Sequence, residues 1–219
     1  PILVQDGAAC QGAFSLERDV PTCAGARDGS CLSAAQKSVI ARLFAGAVTS
    51  SGSAFYSSFP YDAGIATADW ASWKFTAPLQ RDSGAVAFVW QVPPAAVAGF
   101  NGSSFALTSN IDDLLAKVGA SNATYTEPAL SFMLPPDGGT NLGLLKNRGA
   151  KMIVYHGASD PIFSADDTVA WYRGLQAANG GDASDFARYY PVPGMNHCSR
   201  GPATDQFDLL TPLVAWVEQ

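Results

Sequence analysis

The hydrophobic and polar positions along the chain divide it into two unlike parts. From Lys151 onward the pattern is regular. The apolar run to Tyr155, ending at His156-Gly157, predicts a buried parallel strand over 151–155. Ser164 and Asp167 are spaced as a capping box, Thr168, Tyr172 and Leu175 share one helical face, and Gly180-Gly181 closes the helix. Phe186 to Val192 reads as a second strand ended by Pro193-Gly194. Asp205 to Glu218 reads as a second helix, with Pro212 at home in a first turn. Strand, helix, strand, helix is the rhythm of a doubly wound α/β sheet, in which function gathers on loops at the carboxyl ends of the strands.

Before about residue 130 that regularity is lost. One helix is plain: Ser33 and Gln36 form a capping box ahead of Val39, Ile40, Leu43 and Phe44, and Gly46 is a natural stop. A second, shorter helix is expected over 111–118 with Asn110 as its cap. Between them lie Phe55, Tyr56, Phe59, Tyr61, Trp70, Trp73 and Phe75, on no sustained period of 2 or 3.6 and in no internal repeat. Trp70 and Trp73, three apart, share one face of a helical turn. Such aromatics read first as core and second as a substrate-facing lid.

Composition narrows the function classes. The chain has 219 residues, 47% hydrophobic and 15% charged, enough to bury a core for one domain or one and a half. Thirteen Lys and Arg against 19 Asp and Glu give a net charge of −6 with no basic cluster, which excludes nucleic acid as a partner. No apolar run approaches the roughly 20 residues that span a bilayer, so no membrane partner is expected. The start, Pro1 to Gly7, carries neither an initiator Met nor a basic segment, and reads as the continuation of a longer precursor. Four cysteines stand at 10, 23, 31 and 198, without CxxC or Cys/His ligand spacing. They read as disulfides of an exported protein rather than as a zinc site. Cys23 and Cys31, eight apart, can close a small loop, which leaves Cys10 and Cys198 over.

Candidate chemistry lies on the two strand-end loops, His156 to Pro161 and Pro193 to Cys198. An acid after one strand and a histidine after the next form the back half of a Ser-His-Asp triad. A neutral imidazole takes the proton from a serine, and a carboxylate fixes its tautomer and stabilises the imidazolium. Asp160 and His197 are the candidates, weighed against an N-capping Asp and a loop His. His156, at a strand end, reads as a structural hydrogen-bonding residue. No G-x-S-x-G occurs. Gly157-Ala158-Ser159-Asp160-Pro161 has proline where the nucleophile elbow needs its last glycine, so Ser159 is a poor nucleophile.

The ordered set Arg148 to Gly157, Ser159-Asp160-Pro161, Val192 to Cys198, Gly201-Pro202 and Asp205 to Asp208 closely resembles the carboxyl-terminal end of the tannase and feruloyl esterase family, which includes terephthalate-monoester hydrolases. Cys10, Cys23, Cys31 to Gln36, Tyr61 to Ile65 and Trp70 to Trp73 resemble the family's lid domain. The resemblance implies an α/β-hydrolase fold, with residues 1–130 a partial, mostly irregular and helical lid and residues 131–219 the carboxyl-terminal part of the sheet domain. It implies that Asp160 is the triad acid and His197 the base. The serine, and the cysteine beside it that pairs with Cys198, are expected on an N-terminal part of the enzyme ahead of residue 1. Cys23–Cys31 resembles a disulfide within the lid, and Cys10 resembles a cysteine whose partner precedes a calcium loop. The chemistry itself requires no cofactor. A structural calcium is common in the family, but its loop would reach this chain only near Pro1 to Val4, where no aspartate stands. Asn141 and Arg200 depart from the family's usual Asp and Gly.

The expected function is therefore a secreted or periplasmic ester hydrolase acting on small aromatic esters, with Trp70 and Trp73 as candidates for stacking on the substrate. Two rivals stand beside it. One is a cleaved two-chain enzyme whose partner holds the serine. The other is a module that binds esters without hydrolysing them.

Overall fold

The computed structural model describes residues 6–26, 28–133 and 139–218. Two short helices open the chain, α1 (Gly7–Ala13) and α2 (Leu16–Asp19), capped by the side chains of Asp6 and Ser15. A disulfide joins Cys23 to Cys31 beside a backbone bridge between Thr22 and Leu32. It leads into α3 (Ala34–Phe44), where both halves of the expected capping box form between Ser33 and Gln36. Gly46 ends that helix at φ 90°. A Cβ there would lie 2.5 Å from the Tyr56 carbonyl oxygen, so only glycine fits the turn.

The stretch without visible period is irregular through Tyr61 and helical from Ala63 to Phe88. After a 3₁₀ turn at Ala63–Ala66, helix continues without a break through α4 (Ala68–Ala71), two π-type segments (Ser72–Thr76 and Pro78–Asp82) and α5 (Ser83–Phe88). The widened turns explain why no 3.6-residue period is legible there. They also accommodate Pro78, which has no N–H to donate. Then follow α6 (Gly102–Thr108) and α7 (Ile111–Val118), the latter within the expected bounds and capped by Asn110.

After a 3₁₀ turn at Ala129–Phe132 and α8 (Gly143–Asn147), the regular part begins: β1 (Met152–Gly157), α9 (Ala165–Ala178), β2 (Ala187–Val192) and α10 (Leu210–Glu218). The strands pair in parallel, from Met152 opposite Ala187 to Gly157 opposite Val192. The expected strand-helix rhythm is present, with the last helix starting five residues later than expected and β1, expected to be buried, only partly so, its Tyr155 side chain exposed. The capping box at α9 forms only in part. Ser164 Oγ accepts from Asp166 N, but the Asp167 carboxylate accepts the Ser57 hydroxyl instead of turning back to the cap.

A core of Leu175, Ala183, Phe186 and Ala187, flanked by Leu142, Leu145, Met152, Trp171 and Tyr172, packs α9 and α8 against the strands. This parallel pair sets both carboxyl ends, and so both candidate loops, side by side. Among the described residues no helix is long and apolar enough to cross a membrane.

Candidate active site

Parallel pairing carries the chain out of β1 at Gly157 and out of β2 at Val192, directly across the ladder from each other. The two loops then touch. A Cβ on Gly157 would lie 2.4 Å from the Met195 carbonyl oxygen, so glycine permits the approach. Ser159 N–H donates to that same carbonyl at 3.0 Å. The His197 loop turns tightly, with Gly194 and Gly201 at positive φ and the non-glycines Cys198 and Arg200 at φ 64° and 70°. Arg200 thus stands in a left-handed conformation that favours glycine, the residue usual at this place in the resembling family.

This geometry brings Asp160 and His197 together. His197 Nδ1 lies 2.9 Å from Asp160 Oδ2. His156 Nε2 reaches the same oxygen at a longer 3.3 Å, and its Nδ1 lies 2.7 Å from the Thr168 hydroxyl. The carboxylate can only accept, so each histidine donates to it, and neutral His156 then accepts from Thr168. Asp160 Oδ1 accepts the backbone N–H groups of Ile162 and Phe163 at 2.8 and 3.0 Å. Burial alone would raise the Asp160 pKa. The hydrogen bonds from His156, His197 and the two amides overcome that and hold the carboxyl below its ordinary value. Asp160 is therefore ionised at neutral pH and fully hydrogen-bonded. It can orient an imidazole and stabilise its positive form.

Around the pair stand groups that sequence spacing did not single out. The Phe163 ring is tilted against His197 at 5.5 Å between centroids. Lys74 donates from Nζ to the Pro161 carbonyl at 3.1 Å and lies 3.4 Å from the centre of the Phe59 ring. Burial lowers its pKa to about 8, against the opposing pull of the Asp160 charge. Asn196, fully buried next to His197, donates to Thr67 Oγ1 at 2.9 Å and to Asp69 Oδ2 at 3.4 Å, while its own Oδ1 meets no donor among the described residues. A signal for Lys74 existed in the sequence, as the one cation between two tryptophans and a phenylalanine, but nothing there linked it to the distant loop.

The two tryptophans part company. Trp73 meets the His197 ring edge-on at 5.1 Å and carries the Arg81 guanidinium 4.2 Å from its ring centre. Trp70 is 6% exposed, stacked on Phe44 and packed edge-on against Phe75. Only Trp73 thus adjoins the histidine.

Ser159 is 1% exposed. Its hydroxyl donates to Asp62 and accepts from Gly64 N. Cys10 and Cys198 carry free thiols, Cys198 exposed beside the histidine. The expected calcium contact falls on residues 1–4, outside the described residues. Among the described residues no group of three or more His, Cys, Asp or Glu is arranged to hold a metal ion.

Comparison with known proteins adds a frame to this geometry. A family model described as tannase and feruloyl esterase matches residues 2–219. The chain is 37% identical over 241 residues to a mono(2-hydroxyethyl) terephthalate hydrolase of Piscinibacter sakaiensis, an alignment covering 99% of this chain and 40% of that protein. It is 32% identical over 96 residues to feruloyl esterase B of Aspergillus niger, covering 36% of this chain and 18% of the relative. The crystal structure of feruloyl esterase B from Aspergillus oryzae shares its fold, with a TM-score of 0.67 at 21% identity over 99% of this chain and 42% of that one. The chain therefore spans less than half the length of each of these relatives.

Proposed function

Because the chain belongs to the tannase and feruloyl esterase family, we propose that it supplies the acid–base half of a carboxylic ester hydrolase acting on small aromatic esters. The observation that carries this reading is the 2.9 Å bond between His197 Nδ1 and an ionised, saturated Asp160 on adjacent strand-end loops. In this reading residues 1–130 form the lid and residues 131–219 the carboxyl-terminal part of the hydrolase domain. The nucleophilic serine lies on a part of the protein outside these residues, since the Ser159 hydroxyl is buried and engaged by Asp62 and Gly64.

The chemistry is acyl transfer. The serine oxygen forms a bond to the ester carbonyl carbon while its proton passes to His197 Nε2, with Asp160 holding Nδ1–H. The tetrahedral intermediate collapses, the ester C–O bond breaks, and His197 returns the proton to the leaving alkoxide. Water, deprotonated by the same nitrogen, then releases the acid and regenerates the serine. Trp73 and Phe163, both against His197, are the flat apolar groups suited to an aromatic acid; Trp70, packed on Phe44, serves the core. The Cys23–Cys31 bridge supports a place in an oxidising compartment, secreted or periplasmic. Exposed Cys198 then pairs with a cysteine beside the serine.

The test is turnover of methyl ferulate, methyl gallate and mono(2-hydroxyethyl) terephthalate by the full-length protein and by its His197→Ala variant. The expected result is hydrolysis of at least one ester, lost in the variant while its circular dichroism is unchanged. Turnover by His197→Ala near that of the unsubstituted protein overturns the reading.

A further inference from the structure

Asp160 and His197 sit on separate loops, and a 2.9 Å bond between them requires those loops to keep a fixed separation. Main-chain bonds supply part of it: Ala158 N–H donates to the Val192 carbonyl at 2.9 Å, and Ser159 N–H to Met195 at 3.0 Å. The rest comes from a residue remote in sequence. Asp62 Oδ1 accepts the Ser159 hydroxyl and, at 2.6 Å, the Gly194 N–H. Ser159 immediately precedes Asp160, and Gly194 stands three residues before His197.

The turn that carries Asp62 is wedged between the two loops. Gly64 N–H donates to Ser159 Oγ at 2.9 Å. A Cβ on Gly64 would stand 2.5 Å from the Gly194 carbonyl oxygen and 2.6 Å from Ser159 Oγ. Ser159 and Gly194 are both buried, so loss of the Asp62 carboxylate takes from both of their donors the acceptor that the fold supplies. The second Asp62 oxygen accepts no hydrogen bond among the described residues. The carboxylate is thus committed, through one oxygen, to both loops.

We infer that Asp62 is a positioning residue for the catalytic pair: by bridging Ser159 and Gly194 it holds the Asp160 loop against the His197 loop and so keeps His197 protonated on Nδ1. This rests on the reading of His197 as the general base oriented by Asp160. Loss of the bridge lets the loops part. His197 then loses its acceptor and redistributes its proton to Nε2, the nitrogen that must be bare to act as a base.

Long-range ¹H–¹⁵N correlation spectra of the histidine-labelled full-length protein read the tautomer directly. These 219 residues hold two histidines, and the His197→Gln variant identifies which signals belong to His197. The expected result is Nδ1–H for His197 in the unsubstituted protein and a shift toward Nε2–H in Asp62→Ala. Asp62→Asn, which keeps an oxygen in place to accept from both loops, restores the original tautomer. Should Asp62→Ala not fold, Asp62→Ser carries the same expectation as Asp62→Ala, because its hydroxyl is too short to reach Gly194. In the active full-length enzyme the same displacement lowers kcat on the order of 10²-fold with KM little changed.

An Asp62→Ala protein that melts earlier but keeps the original tautomer overturns the inference, since that is the behaviour of a merely structural residue. Failure of Asp62→Asn to restore the tautomer overturns it as well. Nε2–H in the unsubstituted protein overturns the catalytic pair itself, and the inference with it.

Discussion

The parallel-strand part and the helical part both contribute to one site, but they hold their residues by different means. In the strand part, main-chain pairing from Met152–Ala187 to Gly157–Val192 places Asp160 and His197. In the helical part, single side chains do the work. Ser57 and Ser58 donate to Asp167 and Asp166 across 110 and 108 residues of sequence, Tyr56 accepts from Ser164 N across 108, and Thr67 accepts from Asn196 across 129. A ladder is a collective structure that tolerates change at any one side chain. A set of separate side-chain bonds is only as good as each donor and acceptor. The placing of the two loops by the ladder therefore depends on no single strand side chain, whereas the helical part is held to the site by many contacts that can each be lost singly.

The sharpest way to isolate the chemistry of the strand part is Asp160→Asn. The amide leaves the ladder intact but presents a donor where His197 requires an acceptor. Turnover by the full-length enzyme is expected to fall on the order of 10⁴-fold, as in serine proteases that carry the equivalent change. A loss below tenfold in steady-state kinetics would show that the carboxylate does not orient the base.

A middle-sized effect is expected from the packing behind the ladder. Leu175 is completely buried among Ala183, Phe186 and Ala187. Leu175→Ala should cost about 2–5 kcal/mol in urea denaturation, the range for a large-to-small change in a core that cannot collapse. Loss of one cooperative transition, followed by tryptophan fluorescence and circular dichroism together, is the expected form. A helical part that unfolds at its original midpoint would break the comparison, by showing that the two parts stand separately.

The smallest effect is a pH dependence at their junction. Lys74, whose pKa is lowered from 10.5 to about 8 by burial, sheds its proton in the folded chain before it does so unfolded. Between these two values the unfolded state binds more protons, so stability rises with pH through the window from about 8 to 10.5. Below about pH 8 the cost of burying the charge is fully present. Relative to Lys74→Met, the unsubstituted chain should therefore gain stability across that window. Denaturation midpoints at pH 7, 9 and 10.5 that run parallel for the two proteins would remove Lys74 from the junction.

The elements read correctly from sequence share a local cause. The capping box of Ser33 and Gln36, the Asn110 cap, the apolar run to Tyr155 and the glycine stops at 46 and 180–181 each act within one turn or one strand of their own position. The π-widened helix through Trp73 and Pro78 was hidden because its turns hold more residues than the period being sought. The final helix begins at Leu210 rather than Asp205 because the Asp205 carboxylate accepts the Arg200 N–H, and Asp208 accepts from Leu210 and Thr211 at the helix start. The side chains of Asp166 and Asp167 are likewise spent on Ser58 and Ser57, contacts no local rule foresees.

The sequence by itself determined the strand-helix-strand order, the two loops with Asp160 and His197, the pairing of Cys23 with Cys31 as a local loop, and the family to which these motifs belong. The order, the loops and the local disulfide follow from period, spacing and turn chemistry, which act over a few residues; the family follows from the resemblance of its motifs. Only the tertiary structure decided that Trp73 faces His197 while Trp70 is core, that Lys74 reaches Pro161, and that Asp62 bridges Ser159 to Gly194. Each of those depends on which remote segments are brought within about 3–6 Å of one another. That proximity is a property of the whole packed chain, and no stretch of sequence contains it.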